Sequence, residues 1–338
     1  MKFLKRFIFS ISCLLLVSCG EEAARSPTVH NHDAGKEQNQ NCEIIQKPEY
    51  ALSKDMRQMF IVQGQELPYF IFRMCISGKE QYITCKLDSK NKWNTEKAEW
   101  SDYIVGRHKN EGSFIVSDSK GTFYILCYNR QKTKYSLYRI MQGKKPQKLD
   151  IDGIYERQKD RKLLSFNLIN DNRLIFFFSQ DEMDIQGSAM EYDTMREEFI
   201  EGEGHIDDIS ANFDKNGNYY CVSPGQKLIM KKSPYHEIPE AVIKCDAITE
   251  ESQNSLLIIQ DDFGYILTRK GIYGGKIDDK NWREVLPVEQ IQYCEDFSTP
   301  VLGIANIVKV SGEDREFYLM TWKNKECTDF EWIHYMVE

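Results

Sequence analysis

The sequence is short of long apolar runs. Its one continuous stretch covers residues 7–17, eleven positions, where a membrane-spanning helix needs about 20, so a polytopic membrane protein is excluded. Positive charge is also in deficit. With 44 Lys and Arg against 52 Asp and Glu, the formal charge is −8, which excludes a nucleic-acid binder that works by neutralising phosphates with a basic face. Several chemical motifs are missing. None of the cysteines forms a C-x-x-C pair, so a zinc knuckle or thioredoxin-like site has no basis. There is no G-x-S-x-G elbow, no H-E-x-x-H helix and no Gly-rich phosphate loop. Disorder is excluded for the chain as a whole, because 41% of its 338 residues are hydrophobic and 12% aromatic.

What is present begins with an address. Lys2, Lys5 and Arg6 precede the apolar stretch, and Leu16-Val17-Ser18-Cys19 follows it. This is the layout of an export signal. The four residues resemble the lipobox of bacterial lipoproteins: an aliphatic residue, a small or aliphatic one, a small one and a cysteine. The resemblance implies cleavage after Ser18, a diacylglyceryl thioether on Cys19 and a body held at the membrane by covalent lipid. Residues 1–18 are then the signal peptide, and the mature chain lies on the extracytoplasmic side, at the cell surface or facing the periplasm. Losing Lys2, Lys5 and Arg6 takes the formal charge from −8 to −11, which disfavours adhesion of the body to anionic lipid.

Residues 19–50 are polar and without periodicity, as expected of a lipidated N-terminus and flexible tether. His30, His32 and Asp33 lie close together there, but an unstructured segment offers no preformed metal geometry, and they read as solvated linker.

Residues 51–338 carry runs of four to eight Phe, Tyr, Ile, Leu and Val, separated by Asn, Asp, Gly, Lys and Ser. That pattern is short strands joined by tight turns. A strand-turn-strand unit recurs around Gly78, Gly121, Asn172, Gly217, Gly264 and Gly312, at spacings of 43, 51, 45, 47 and 48. A period near 47 accommodates four strands and is too long for leucine-rich or ankyrin repeats. The fold class expected is all-β, a propeller of six blades, with a degenerate seventh built around 44–66 as the alternative. Because the last unit has three strands, 304–310, 315–322 and 330–337, residues 57–64 are expected to pair with its outer edge and close the ring. The turns at 118–124, 214–219 and 261–266 resemble the Asp-x-x-Gly-x-aromatic turns of bacterial six-bladed propellers. Residues 117–124 resemble a blurred sialidase-type Asp box, and Ile272-Tyr273-Gly274-Gly275 with Trp282 is similar to one kelch blade; both are read as structural.

Eight cysteines remain once Cys13 leaves with the signal and Cys19 is set aside. Cys85, Cys127 and Cys221 fall on matching strand faces and are expected to be core thiols. Cys42 and Cys327 could pair if the domain ends meet. Catalytic candidates are confined to Glu201, Glu203, His205, Asp207 and Asp208, an acidic loop between the third and fourth units where a histidine beside carboxylates could act as general base. Asp181, Glu182 and Asp184 form a further acidic loop. No cofactor or metal is expected. The resulting expectation is a lipid-anchored, monomeric binding module whose partners are the membrane, through its lipid, and a protein, peptide or carbohydrate of the cell envelope. A propeller-fold glycan hydrolase or lyase acting through the acidic loop is the alternative.

Overall fold

The computed structural model describes residues 42–337, apart from 63–68, 89, 106–111, 119, 130–133, 153, 155–157, 159–160, 170, 180–186, 201, 203, 207–211, 224–225, 237–238, 250–255, 261 and 311–315. The strands form six antiparallel sheets, the blades of a β-propeller. The closing strand comes first in the chain, β1 (Cys42–Ile45). Blade 1 is β2 (Met56–Val62), β3 (Tyr69–Ile76), β4 (Lys79–Leu87) and β5 (Trp93–Lys97). Blade 2 is β6 (Gly112–Ser117), β7 (Phe123–Tyr128), β8 (Tyr135–Ile140) and β9 (Gln147–Leu149). In blade 3, β10 (Lys162–Ile169), β11 (Arg173–Ser179) and β12 (Gly187–Asp193) are followed by an outer edge in two pieces, β13 (Glu198–Phe199) and β14 (Gly204–Ile206), both paired with β12. Blade 4 is β15 (Asn212–Phe213), β16 (Tyr219–Ser223), β17 (Leu228–Lys232) and β18 (Ala241–Lys244). Blade 5 is β19 (Leu256–Gln260), β20 (Phe263–Thr268), β21 (Gly271–Lys276) and β22 (Arg283–Pro287). Blade 6 is β23 (Ile304–Lys309), β24 (Glu316–Trp322), β25 (Phe330–Met336) and, from the far end of the chain, β1.

Side chains alternate across a strand, and here both faces are buried. In β7, Tyr124, Leu126 and Tyr128 pack against blade 3, while Ile125 and Cys127 pack against blade 1. The six apolar clusters accordingly sit one at each junction between neighbouring blades. This is why the second strands read as unbroken aromatic and aliphatic runs: neither face meets water.

Two sequence expectations are corrected. Residues 57–64 do not close the ring; β2 covers most of them and is the innermost strand of blade 1, in register with β3 from Val62 opposite Tyr69. The closing strand is instead β1, expected to lie in the tether, with Cys42 opposite Tyr335 and Ile45 opposite Trp332. A seventh blade is thereby excluded. The second correction concerns the first repeat. Gly78 joins β3 to β4, the second and third strands, whereas Gly121 and Gly217 lie between first and second strands. Cys85 is therefore on a third strand, although it faces the preceding blade, as Cys127 and Cys221 do.

All eight described cysteines are free thiols. Burial pushes Cys127 up to about 12 and also raises Cys85 and Cys245, so these behave as small core hydrophobes. Cys42 and Cys327 do not meet. Cys327 lies in the turn between β24 and β25, while Cys42 pairs at the opposite end of β25, a separation of several residues at about 3.4 Å each.

The Asp turns are a local device. Asp118 Oδ1 accepts the N–H groups of Lys120 at 2.9 Å and Thr122 at 2.7 Å; Asp214 Oδ1 accepts those of Asn216 at 2.8 Å and Asn218 at 3.0 Å. Gly121 and Gly217 sit at φ 79° and 83°, where a side chain is strained. The same arrangement recurs at Asp88, with Asn91 at φ 56° in place of glycine and bonds of 2.9 Å from Lys90 and Lys92. Those two N–H groups hold the Asp88 carboxyl below its usual range. The kelch-like element is also packing: a Cβ on Gly264 would stand 2.2 Å from the Trp282 ring, and Trp282 Nε1 donates to the Lys276 carbonyl at 3.2 Å.

Candidate functional site

The first strands β2, β6, β10, β15, β19 and β23 surround a central channel containing a cavity of about 240 Å³. Each first strand has one edge paired to its blade and the other turned toward the channel. Unpaired backbone groups on such an edge cost free energy unless something meets them. Side-chain amides from neighbouring blades do so. Ser113 N–H donates to Gln58 Oε1 at 3.0 Å, and Gln58 Nε2 returns a bond to Ser113 O at 3.3 Å. Asn212 Nδ2 donates to Leu257 O at 2.6 Å, and Lys309 N–H donates to Gln260 Oε1 at 2.6 Å. These bonds link blade 1 to 2, 4 to 5 and 5 to 6.

The lining is asymmetric. Blades 1 and 2 supply mainly apolar groups, among them Ile61, Phe114 and Ile115, while blades 3 to 6 each supply one amide: Asn167, Asn212, Gln260 and Asn306. Among the described residues, no Asp, Glu, His, Lys or Arg lines the cavity. The channel is most open at the finishing ends of the first strands, where Ile61, Ser117, Leu168 and Gln260 are only half-buried. Two described carboxylates adjoin this lining in the chain: Asp118, after Ser117, is half-buried and accepts its turn N–H groups, and Asp214, after Phe213, is fully buried and committed elsewhere. Beyond its turn bonds, Asp214 Oδ2 accepts from Tyr220 Oη at 3.0 Å and Asn218 Nδ2 at 3.2 Å, with Lys231 Nζ at 3.7 Å.

A second polar network is sealed between blades 1 and 2. Arg73, nearly inaccessible, donates to Glu80 at 2.7 Å and to Gln58 Oε1 at 3.3 Å, and Tyr82 Oη lies 3.0 Å from Ser113 Oγ. A buried charge of this kind needs its partners, and its bond to Oε1 holds the amide of Gln58 in place.

Of the acidic-loop candidates, His205 lies on β14 with its side chain exposed, and its N–H donates to Pro234 O at 2.6 Å. It therefore sits at the outer edge of blade 3, three strand spacings or about 14 Å from the channel strand β10. Glu201, Glu203, Asp207 and Asp208 lie outside the described residues, as do Cys19, His30, His32, Asp33, Asp181, Glu182, Asp184, Asp261 and Gly312. Among the described residues, no group of three or more His, Cys, Asp or Glu is placed to hold a metal. None of the helices among the described residues is long and apolar enough to cross a membrane. The channel amides were missed in the sequence, although each interrupts an apolar run: SFNLI, SANF, LLIIQ and IANIV.

No protein-family profile matches the chain, and no curated protein does. Among solved structures it is similar to a luciferin-regenerating enzyme, at 10% identity and a TM-score of 0.47 over 88% of this chain and 97% of that one. It is also similar to the β-propeller domain of the trilobed protease from Pyrococcus furiosus, at 11% identity and 0.43 over 78% of each. A neuraminidase-like protein from a flat-faced bat virus aligns at 12% and 0.41, over 88% and 93%. At these identities no activity carries over.

Proposed function

We propose that this chain is a lipid-anchored, extracytoplasmic propeller that works as a non-catalytic binding module at the cell envelope, taking a protein, peptide or carbohydrate. The observation that supports binding most directly is the channel opening. It is assembled from all six blades and offers apolar contact and neutral amides, a combination suited to holding a ligand. Acid–base chemistry requires a titratable group within hydrogen-bond reach of the substrate, and the described residues of the cavity lining are apolar or neutral. Support for the anchor is the Leu16-Val17-Ser18-Cys19 motif, since two or more acyl chains hold a protein stably where one does not.

A photo-crosslinking residue at Ser117, beside the opening, is expected to capture a discrete envelope component in intact cells, whereas the same residue at Val242, on the outer edge of blade 4, captures none. Release of reducing sugar from envelope polysaccharide that is lost in Glu203→Gln would instead establish the hydrolase. For the anchor, metabolic labelling with palmitate should mark the wild-type chain and leave Cys19→Ala unlabelled and released from membranes. Equal labelling of the two would remove the lipoprotein assignment.

A further inference from the structure

Two of the channel amides have a fixed orientation. Gln260 Oε1 accepts Lys309 N–H at 2.6 Å, and Asn306 Oδ1 accepts Ile307 N–H at 2.8 Å. Only the oxygen of an amide can meet a backbone N–H, so the NH2 ends of both side chains are turned away from these bonds. Both residues line the cavity, on adjacent blades, and neither NH2 group has a partner among the described residues. The channel thus carries a pair of free donors on one side and an apolar wall of Ile61, Ile115 and Phe166 among the other strands.

Such a pair asks for an acceptor. A carboxylate or phosphate would give up its hydration with no cation among the described lining residues to replace it; a neutral carbonyl gives up far less. The cavity of about 240 Å³ is smaller than the roughly 300–1,000 Å³ of sites for drug-sized molecules, so it suits one ring or a short acyl group rather than a chain segment. We propose that the channel binds a small uncharged ligand by its carbonyl oxygen, held by Gln260 Nε2 and Asn306 Nδ2 with its apolar part against the opposite wall. An acetamido group, as on an N-acetylated amino sugar, is the smallest case. This rests on the binding reading above and specifies its ligand class.

The test uses the full mature chain in lipid nanodiscs with N-acetylglucosamine as the probe, followed by saturation-transfer NMR and titration calorimetry. Transfer to the acetyl methyl is expected, with glucose and acetate about tenfold weaker or more, since each lacks either the carbonyl or neutrality. Gln260→Glu keeps an oxygen for Lys309 N–H but replaces the donor with an acceptor, and should weaken binding about tenfold or more. Gln260→Glu with Asn306→Asp should abolish it, the near-ultraviolet circular dichroism of both variants remaining that of the wild type. Absence of transfer to the acetyl methyl, or undiminished binding by the folded double variant, overturns the proposal. If the Ser117 crosslink to an envelope component persists in that event, only the ligand class has failed; if the crosslink is lost as well, the binding reading falls with it.

Discussion

Trp332→Ala is expected to lower the unfolding free energy by about 3–5 kcal/mol, the range for removing a fully buried large aromatic side chain. Trp332 is wholly inaccessible. Its ring is 5.2 Å from Phe70 at 60° and 5.9 Å from Tyr318 at 15°, so it belongs at once to the last blade and to the seam with the first. Truncation removes its buried area and leaves a cavity in the junction that joins the two ends of the repeat. Little polar energy is lost, because Trp332 Nε1 has no hydrogen-bond partner. Trp332→Phe should therefore retain most of the stability. Denaturant unfolding is the measurement, and a loss below about 1 kcal/mol for the alanine variant would contradict the packing described.

The second large effect is expected from a chain that starts at Gln46. It lacks β1, the strand that blade 6 takes from outside its own sequence segment. Ile45 is buried against Trp332 and Ala51 in the same cluster, and burying an isoleucine contributes about 1.5–3 kcal/mol. The ladder to β25 adds about 1 kcal/mol per bond before the entropy of ordering four residues is subtracted. A net loss of about 2–4 kcal/mol follows. The greater consequence is the exposed edge of β25, an invitation to pair with a second copy. Light scattering should show a concentration-dependent rise in mass for the truncated chain that the intact chain does not share; a truncated chain that matches the intact one in mass and stability would show that β1 is dispensable.

The blade architecture was legible because its cause is local. Apolar runs and turn-forming Asp, Asn and Gly are dictated by each strand pair, and they predicted strands such as β23, β24 and β25 closely. Phase within a blade was not legible. The turn at Asp88 joins third and fourth strands yet has the bonding of those at Asp118 and Asp214, which join first and second. A turn signature reports a reversal and not its position in the blade, and so Gly78 fell out of step. Ring closure was hidden for a different reason. β1 is four residues, Cys-Glu-Ile-Ile, in polar surroundings, and its partner lies nearly 300 residues away. The channel amides were overlooked because Asn usually marks turns and Gln260 reads as the polar end of its apolar run. Here they serve the free edges of first strands, a requirement that exists only once the blades are assembled.

The position of β1 also has a mechanical side. The strand enters at Cys42, on the side where the first strands end and the channel opens, and its outer flank has no further strand to brace it. Any tension carried by the chain upstream of Cys42 is delivered to these four residues before it reaches a complete blade. Pulled along its length, β1 loads its bonds to β25 together; pulled sideways, it peels from Cys42 one bond at a time. The joint that closes the ring is thus also its coupling to whatever holds the N-terminus, and under load from that end it should yield first, as a latch that opens while the other five blades keep their shape.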